Sequence, residues 1–410
     1  MAAHDACAPV GRSHPRHEVA DIFRAHGQDY RRQHALTFDQ LNAMQAIETC
    51  RTEVLGGHLD VCADCGHATP SYNSCRNRHC PKCQFLAQAR WLEKRRERIL
   101  PVHYFHVVFT LPSELRALVL WNRKRLFTLL FRTASDTLLT LGRDPGRLGA
   151  LMGVTAVLHT WTRDLRFHPH LHCIVTGGGL SPDGEQWVDS GPNYLFPVKV
   201  LGQLFRGKFL DGMAIAHERG ELDLPDDLSA PKAFERLRAK LFGKNWNVYA
   251  KRPFAGPEQV FTYLGRYTHR VGLSNHRILA VSDDAVTIDT RDGQTATMTP
   301  KTFIRRFLQH ILPKGFTKIR HYGLMAASNV NTRLPTARQL LDAKRPDEVP
   351  SETDDETTTT EGWRELLKRL TGLDLGVCPA CGGRRMQRLP LSWLSELDEP
   401  SMRAPPEMSA

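Results

Sequence analysis

An α+β fold, with a largely antiparallel central sheet flanked by helices and a helical, cysteine-rich region ahead of it, is what this 410-residue sequence predicts. Three observations point to it. Strand-like and helix-like stretches alternate along the chain. Some of the strands are joined by short polar turns, which favours antiparallel neighbours. Six of the ten cysteines crowd between Cys50 and Cys83, in a stretch with few apolar residues from which to build a core.

Taken in order, residues 1–16 carry no apolar periodicity and read as disordered. A helix begins near Val19. A second is marked by Thr37 as its cap, by Gln40 completing a capping box, and by Leu36 positioned to staple onto Leu41. Phe38, Leu41, Met44 and Ile47 give it one apolar face that delivers the chain to Cys50. Residues 85–100 read as a helix bearing Arg90, Lys94, Arg95, Arg96 and Arg98, a cationic face diluted by Glu93 and Glu97. Residues 103–111 read as a strand and 113–141 as one long helical region. Residues 153–160 and 170–176 are β-branched strands, the second ended by Gly177, Gly178 and Gly179. A further strand over 246–251, a helix over 257–271 and a hairpin of 277–281 with 285–290 follow. Residues 346–362 are acidic, threonine-rich and low in complexity, the pattern of a disordered linker.

Fifty-five basic residues against 44 acidic give a net charge of +11, and seven of the acidic ones are sequestered in that linker. The folded body is therefore more basic than the average, and a polyanion is its natural partner. No stretch approaches the roughly 18 uninterrupted apolar residues of a membrane span. With no apolar signal core at the N-terminus either, a cytoplasmic location and no membrane partner are expected.

Clustered cysteines in a reducing compartment bind zinc more often than they form disulfides. The cluster runs Cys50, His58, Cys62, Cys65, Cys75, His79, Cys80 and Cys83, with Cys62/Cys65 and Cys80/Cys83 each spaced as CxxC. Eight ligands suit two tetrahedral zinc sites of structural type, because both sites are then closed to substrate. Spacing does not fix the partition. One arrangement joins the two CxxC pairs on one ion and leaves Cys50, His58, Cys75 and His79 for the other. Arg76, Arg78 and Lys82 on the loops of this region are candidates for DNA contact. Cys378 and Cys381 form a lone CxxC, which reads either as half a site that His310 or His321 would complete or as a redox-inert surface pair. Cys7 and Cys173 read as ordinary thiols.

In a strand, residues two apart share a face, so His168, His170 and His172 align while Leu171, Cys173 and Val175 pack behind them. Pro169 cannot donate to a ladder, which favours a strand starting near His170 and makes His170 and His172 the preferred metal pair. On the helix at 257–271, Gln259, Tyr263 and Tyr267 fall at i, i+4 and i+8, one stripe, with Arg266, His269 and Arg270 beside them to meet phosphate. These parts suit phosphoryl transfer, in which a divalent ion polarises the phosphate and a tyrosine oxygen attacks in line. A second tyrosine lets strand transfer follow cleavage.

With these motifs on the page, the chain resembles the two-tyrosine HUH transposases of bacterial insertion sequences, of the IS-ninety-one type. The likeness spans residues 20–330. It rests on Ser-Cys-Arg-Asn-Arg-His-Cys-Pro-Lys-Cys (74–83), His-Thr-Trp (159–161), His-Pro-His-Leu-His (168–172), Tyr-Leu-Gly-Arg-Tyr-Thr-His-Arg (263–270) and Leu-Pro-Lys-Gly-Phe (312–316). It implies a compact HUH nuclease domain, Mg²⁺ or Mn²⁺ on His170 and His172, and 5′-phosphotyrosine links at Tyr263 and Tyr267. Single-stranded DNA at element ends and target DNA would be the partners, with the zinc region assisting. Gln259, one turn before Tyr263, is the expected third ligand, with His106 its competitor. The expected organisation is disordered residues 1–16, a helical zinc- and DNA-binding region at 17–100, a catalytic domain at 101–330, the linker at 346–362 and a C-terminal segment at 363–410. Two other readings use the same residues: a zinc-dependent DNA-binding protein without catalysis, and a plasmid replication initiator with the same chemistry.

Overall fold

The computed structural model describes residues 15–344 and 362–391, apart from 84, 97, 194, 255–271 and 292. In chain order the helices are α1 (Val19–Gln33), α2 (Phe38–Thr49), α3 (Phe85–Arg96), α4 (Arg116–Trp121), α5 (Arg123–Arg143), α6 (Val198–Glu218), α7 (Ala233–Phe242), α8 (Pro300–Leu308), α9 (Arg333–Ala343) and α10 (Trp363–Thr371). The strands are β1 (Gly57–Cys62), β2 (Ala68–Tyr72), β3 (Tyr104–Thr110), β4 (Leu151–Trp161), β5 (Phe167–Leu180), β6 (Trp187–Asp189), β7 (Val248–Phe254), β8 (Ile278–Val281), β9 (Val286–Asp289), β10 (Thr295–Met298), β11 (Ile319–Gly323) and β12 (Met386–Pro390).

The β-branched stretches build a six-stranded sheet in the order β11-β4-β5-β3-β7, with β6 added to the end of β5. All its pairings are antiparallel. Alternation along the strands decides its two faces. Val107, Phe109, Ala156, Leu158, Leu171 and Cys173 share the main core with α5 and α6. Val157 and Ile174, of opposite phase, join a smaller core with α9. Asn122 divides the helical region expected over 113–141 into α4 and α5, because its buried amide bonds across to the Asp223 backbone.

The glycines at 177–179 do not end β5. A Cβ on Gly177 would lie 2.2 Å from the His103 ring, and one on Gly179 2.6 Å from the Leu151 carbonyl. Glycine is what lets the strand continue between such close neighbours and pair with β6. β5 also starts earlier than Pro169 suggested. The last register pair with β3 is Thr110 with His170. The Pro169 carbonyl accepts from the Leu111 N–H, 3.2 Å away. The missing proline N–H thus falls just beyond the ladder with β3.

At α2 the expected capping box is present, with Gln40 N–H donating to Thr37 Oγ1 at 3.3 Å and Thr37 N–H to Gln40 Oε1 at 3.0 Å. The buried face is Ala43, Met44 and Ile47, whereas Phe38 is 70% and Leu41 39% exposed. The helix is turned toward α1 and α8, and Phe23 meets Phe307 edge-on at 5.3 Å. α1 and α2 thus share a core with residues 273–311, including the sheet β8–β10, which adds a third strand to the expected hairpin. No helix among the described residues is long and apolar enough to cross a membrane.

Candidate metal centres and active site

The cysteines form two groups of four. Cys50, Cys75, Cys80 and Cys83 converge at the end of α2, and Cys62 and Cys65, on the β1–β2 hairpin, meet Cys378 and Cys381 from the far end of the chain. Four sulfurs about 2.3 Å from one zinc ion lie about 3.8 Å apart. The separations here fit: 3.3 Å for Cys50 to Cys83, 3.6 Å for Cys75 to Cys83, and 3.7 Å each for Cys62 to Cys381 and Cys65 to Cys378. Both groups suit structural zinc, since each is already complete with protein sulfur.

This partition differs from the one that joined the two CxxC pairs on a single ion. The pairs sit in different groups because the β1–β2 hairpin carries Cys62 and Cys65 away from the loop holding Cys75, Cys80 and Cys83. Nor do His58 and His79 belong to either group. His58 Nε2 lies 3.2 Å from Asp60. His79 is buried, and its Nε2 accepts from the Leu312 N–H at 3.0 Å. The lone CxxC at Cys378 is therefore half of a complete site, and neither His310 nor His321 completes it. His310 is bonded to Thr160 and Leu165, and His321 to Thr155. β12 lies antiparallel on β1, and Arg385 pairs with Asp64 at 2.5 Å, so the segment carrying these cysteines extends the N-terminal hairpin. Cys173 is fully buried in the main core.

A third group lies on the sheet. His159, His170 and His172 bring their ring nitrogens within 4.8 Å of one another. The register explains it: His159 of β4 is directly opposite His170 of β5, and His172 is two residues further on the same face. His168, also on that face, is outside the group. Each member is held. His170 Nδ1 donates to the His168 carbonyl at 2.7 Å, which leaves Nε2 with its lone pair. His172 Nδ1 is 2.8 Å from His106 Nε2, and a metal-ready His172 requires that bond to run from His172 to His106. The Trp161 ring stacks on His159 with centroids 4.7 Å apart. Burial pushes His170 down to about 4, so it is neutral and able to ligate at pH 7.

His106 thus contacts a member of the trio instead of joining it, and His159 takes the place of third histidine. The sequence carried a signal for it. His159 lies inside the expected 153–160 strand, and its phase matches His170 once β4 and β5 are paired. Gln259, Tyr263, Tyr267, Arg266, His269 and Arg270 lie outside the described residues. Of the three basic residues proposed on the zinc loops, Arg76 is exposed. Arg78 donates to the Phe316 carbonyl at 2.7 Å and Lys82 pairs with Glu18 at 2.6 Å, both partly buried. With His79, Arg78 fastens the cysteine loop to residues 312–316.

Among the described residues, an antiparallel sheet presents three convergent imidazoles able to hold a metal ion and is joined to a module with two four-cysteine groups suited to structural zinc, which defines the class as an α+β protein with candidate metal centres of two kinds. Comparison with known proteins makes the class specific. Residues 22–111 match a family described as a transposase zinc-binding domain, and residues 153–333 match one described as a putative transposase. A putative transposase, y4qJ, of Sinorhizobium fredii is 48% identical, over 91% of this chain and 94% of its own. The transposase for insertion sequence element IS801 of Pseudomonas savastanoi is 28% identical, over 87% of this chain and 85% of its own. No solved structure matches the chain. The chain belongs to the IS91/IS801 family of transposases.

Proposed function

We propose that the protein nicks and rejoins single-stranded DNA at the ends of an insertion sequence through 5′-phosphotyrosine intermediates at Tyr263 and Tyr267, moving the element by rolling-circle transfer. The observation that carries this reading is the convergence of His159, His170 and His172 on one sheet face. Membership of a transposase family and the two tyrosines four residues apart in sequence support it. Three convergent imidazoles fit a divalent ion, which when bound would polarise the scissile phosphate and stabilise its developing charge. The chain's own groups do the rest. His106 fixes the orientation of His172, the His168 carbonyl fixes the tautomer of His170, and Trp161 restrains the His159 ring. A tyrosine oxygen attacks phosphorus, the bond to the 3′ oxygen breaks, and the 3′-hydroxyl departs with a proton. Reversal by a different 3′-hydroxyl rejoins DNA. Such a protein works beside DNA in the cytoplasm, where reduced thiols remain able to hold zinc.

The test is to trap the adduct on a single-stranded element end with Mg²⁺ or Mn²⁺ and sequence the attached peptide. Tyr263→Phe combined with Tyr267→Phe is expected to abolish the adduct while leaving both zinc ions in place. An adduct surviving the double substitution, free 5′-phosphates without adduct, or binding without nicking would each overturn the proposal. The donor set adds a second prediction. Imidazole suits Mn²⁺ better than Mg²⁺, which prefers oxygen ligands. Adduct formation in equal sub-saturating metal is therefore expected to be faster with Mn²⁺, and a clear preference for Mg²⁺ would count against three-histidine ligation.

A further inference from the structure

Gly315 and Phe316, the end of the 312–316 motif and unused by the chemistry above, help form the wall of a cleft of about 480 Å³. The cleft runs beside β11, the edge strand of the main sheet. Arg95 and Arg98 enter it from α3 and just beyond, Lys124 from α5, and Arg320 and His321 from β11. No carboxylate lines it among the described residues. Four cationic side chains, together with the His321 imidazole that burial keeps neutral, therefore converge from three separate elements with no acid among the described lining residues. The self-repulsion of such a set is relieved by an anion. Arg95 Nε is buried and has no hydrogen-bond partner among the described residues. Arg320 is held by the rings beneath it, 4.5 Å from Phe131 and 5.0 Å from Phe316. An isolated cation or two would suffice to keep an edge strand from pairing with another chain. A concave set drawn from three elements exceeds that need.

The cleft also joins the histidine face. His321 pairs with Thr155 of β4, which lies on the same face as His159 and four residues before it, roughly 13 Å along the strand. We infer that this cleft binds the backbone phosphates of the single DNA strand whose scissile bond lies at the histidine cluster, a few nucleotides away. Arg98 and Lys124 supply charge at the rim, while Arg95, pressed against Trp91 at 5.4 Å, supplies the deeper donor. Recognition is of phosphate and not of bases, so it adds affinity and register without sequence preference.

This inference rests on the proposed DNA substrate, and the experiment separates the two. Binding of a long and a short single-stranded oligonucleotide to the full-length, zinc-loaded protein is measured against salt for Arg98→Gln, Lys124→Gln and the double variant. Lys124 is exposed on its helix, so its substitution leaves the fold intact. Each lost phosphate contact on a single strand is expected to reduce the slope of log K against log salt by about 0.7, hence about 1.4 for the pair. The short oligonucleotide, confined to the histidine cluster, is expected to bind and form adduct as in the unsubstituted protein. Slopes unchanged for the long strand in all three variants overturn the cleft. Equal loss for the long and short strands overturns it too, by placing these residues at the reaction centre. Failure of the unsubstituted protein to form adduct bears on the proposed function instead.

Discussion

Replacing Cys378 and Cys381 with serine is expected to lower the zinc content from two ions per chain to one, although both positions lie more than 300 residues from their partners Cys62 and Cys65. The affected site holds the β1–β2 hairpin, whose buried apolar side chains are few: Leu59, Val61 and Cys62. A structural zinc ion is worth about 10–16 kcal/mol of apparent binding energy in small zinc-folded peptides. The β12–β1 ladder and the exposed Arg385–Asp64 and Arg388–Asp60 pairs offer far less, each exposed ion pair being worth about 0–1 kcal/mol. The hairpin and β12 should therefore come apart together, giving a new low-temperature unfolding transition and protease sensitivity in both. Metal analysis by mass decides it, with Cys173→Ser as the control expected to retain both ions. Two ions retained in the double-serine protein would exclude the four-sulfur pairing across the chain.

His159→Ala is expected to cost about 10²–10³-fold in adduct formation, the scale on which removing a group that stabilises developing charge is felt. His106→Ala should be milder. His106 touches His172 without joining the trio, and residues that orient a ligand typically cost about 10–100-fold in metal affinity when removed. Two readouts separate these roles. Metal titration of the His106 variant is expected to recover most of the rate at saturating Mn²⁺, whereas the His159 variant stays slow. The reverse order, with His106→Ala beyond rescue and His159→Ala mild, would return His106 to the ligand set. Both residues are buried in the sheet, at 4% and 3% exposure, so unfolding midpoints must accompany the rates.

Much of this was legible because it is local. Alternation along β5 gave the face shared by His168, His170 and His172, and the capping box at Thr37 and Gln40 is formed by residues three apart. What local sequence does not show here depends on non-local contacts. The α2 face was assigned by periodicity, but its docking partners, α1 and α8, determine that Met44 and Ile47 are covered and Phe38 is not. The glycines of β5 looked like a stop because their effect depends on neighbours, His103 and Leu151, distant in sequence. Cys378 looked incomplete for the same reason. A count held the clue: ten cysteines less Cys7 and Cys173 leave two sets of four.

By itself the sequence determined the α+β class, the transposase resemblance, the presence of a cysteine-built zinc module and the histidine pair His170 and His172, because composition, period-two alternation and short motifs are properties of contiguous chain. Only the tertiary structure decided which residues complete each centre. His159 reaches His170 through cross-strand register, and Cys378 and Cys381 reach Cys62 and Cys65 by pairing of β12 on β1. A tetrahedral ion or an imidazole trio is satisfied by distance in space alone, and the distances that count here are set by the register of β4 on β5 and by the docking of β12 on β1.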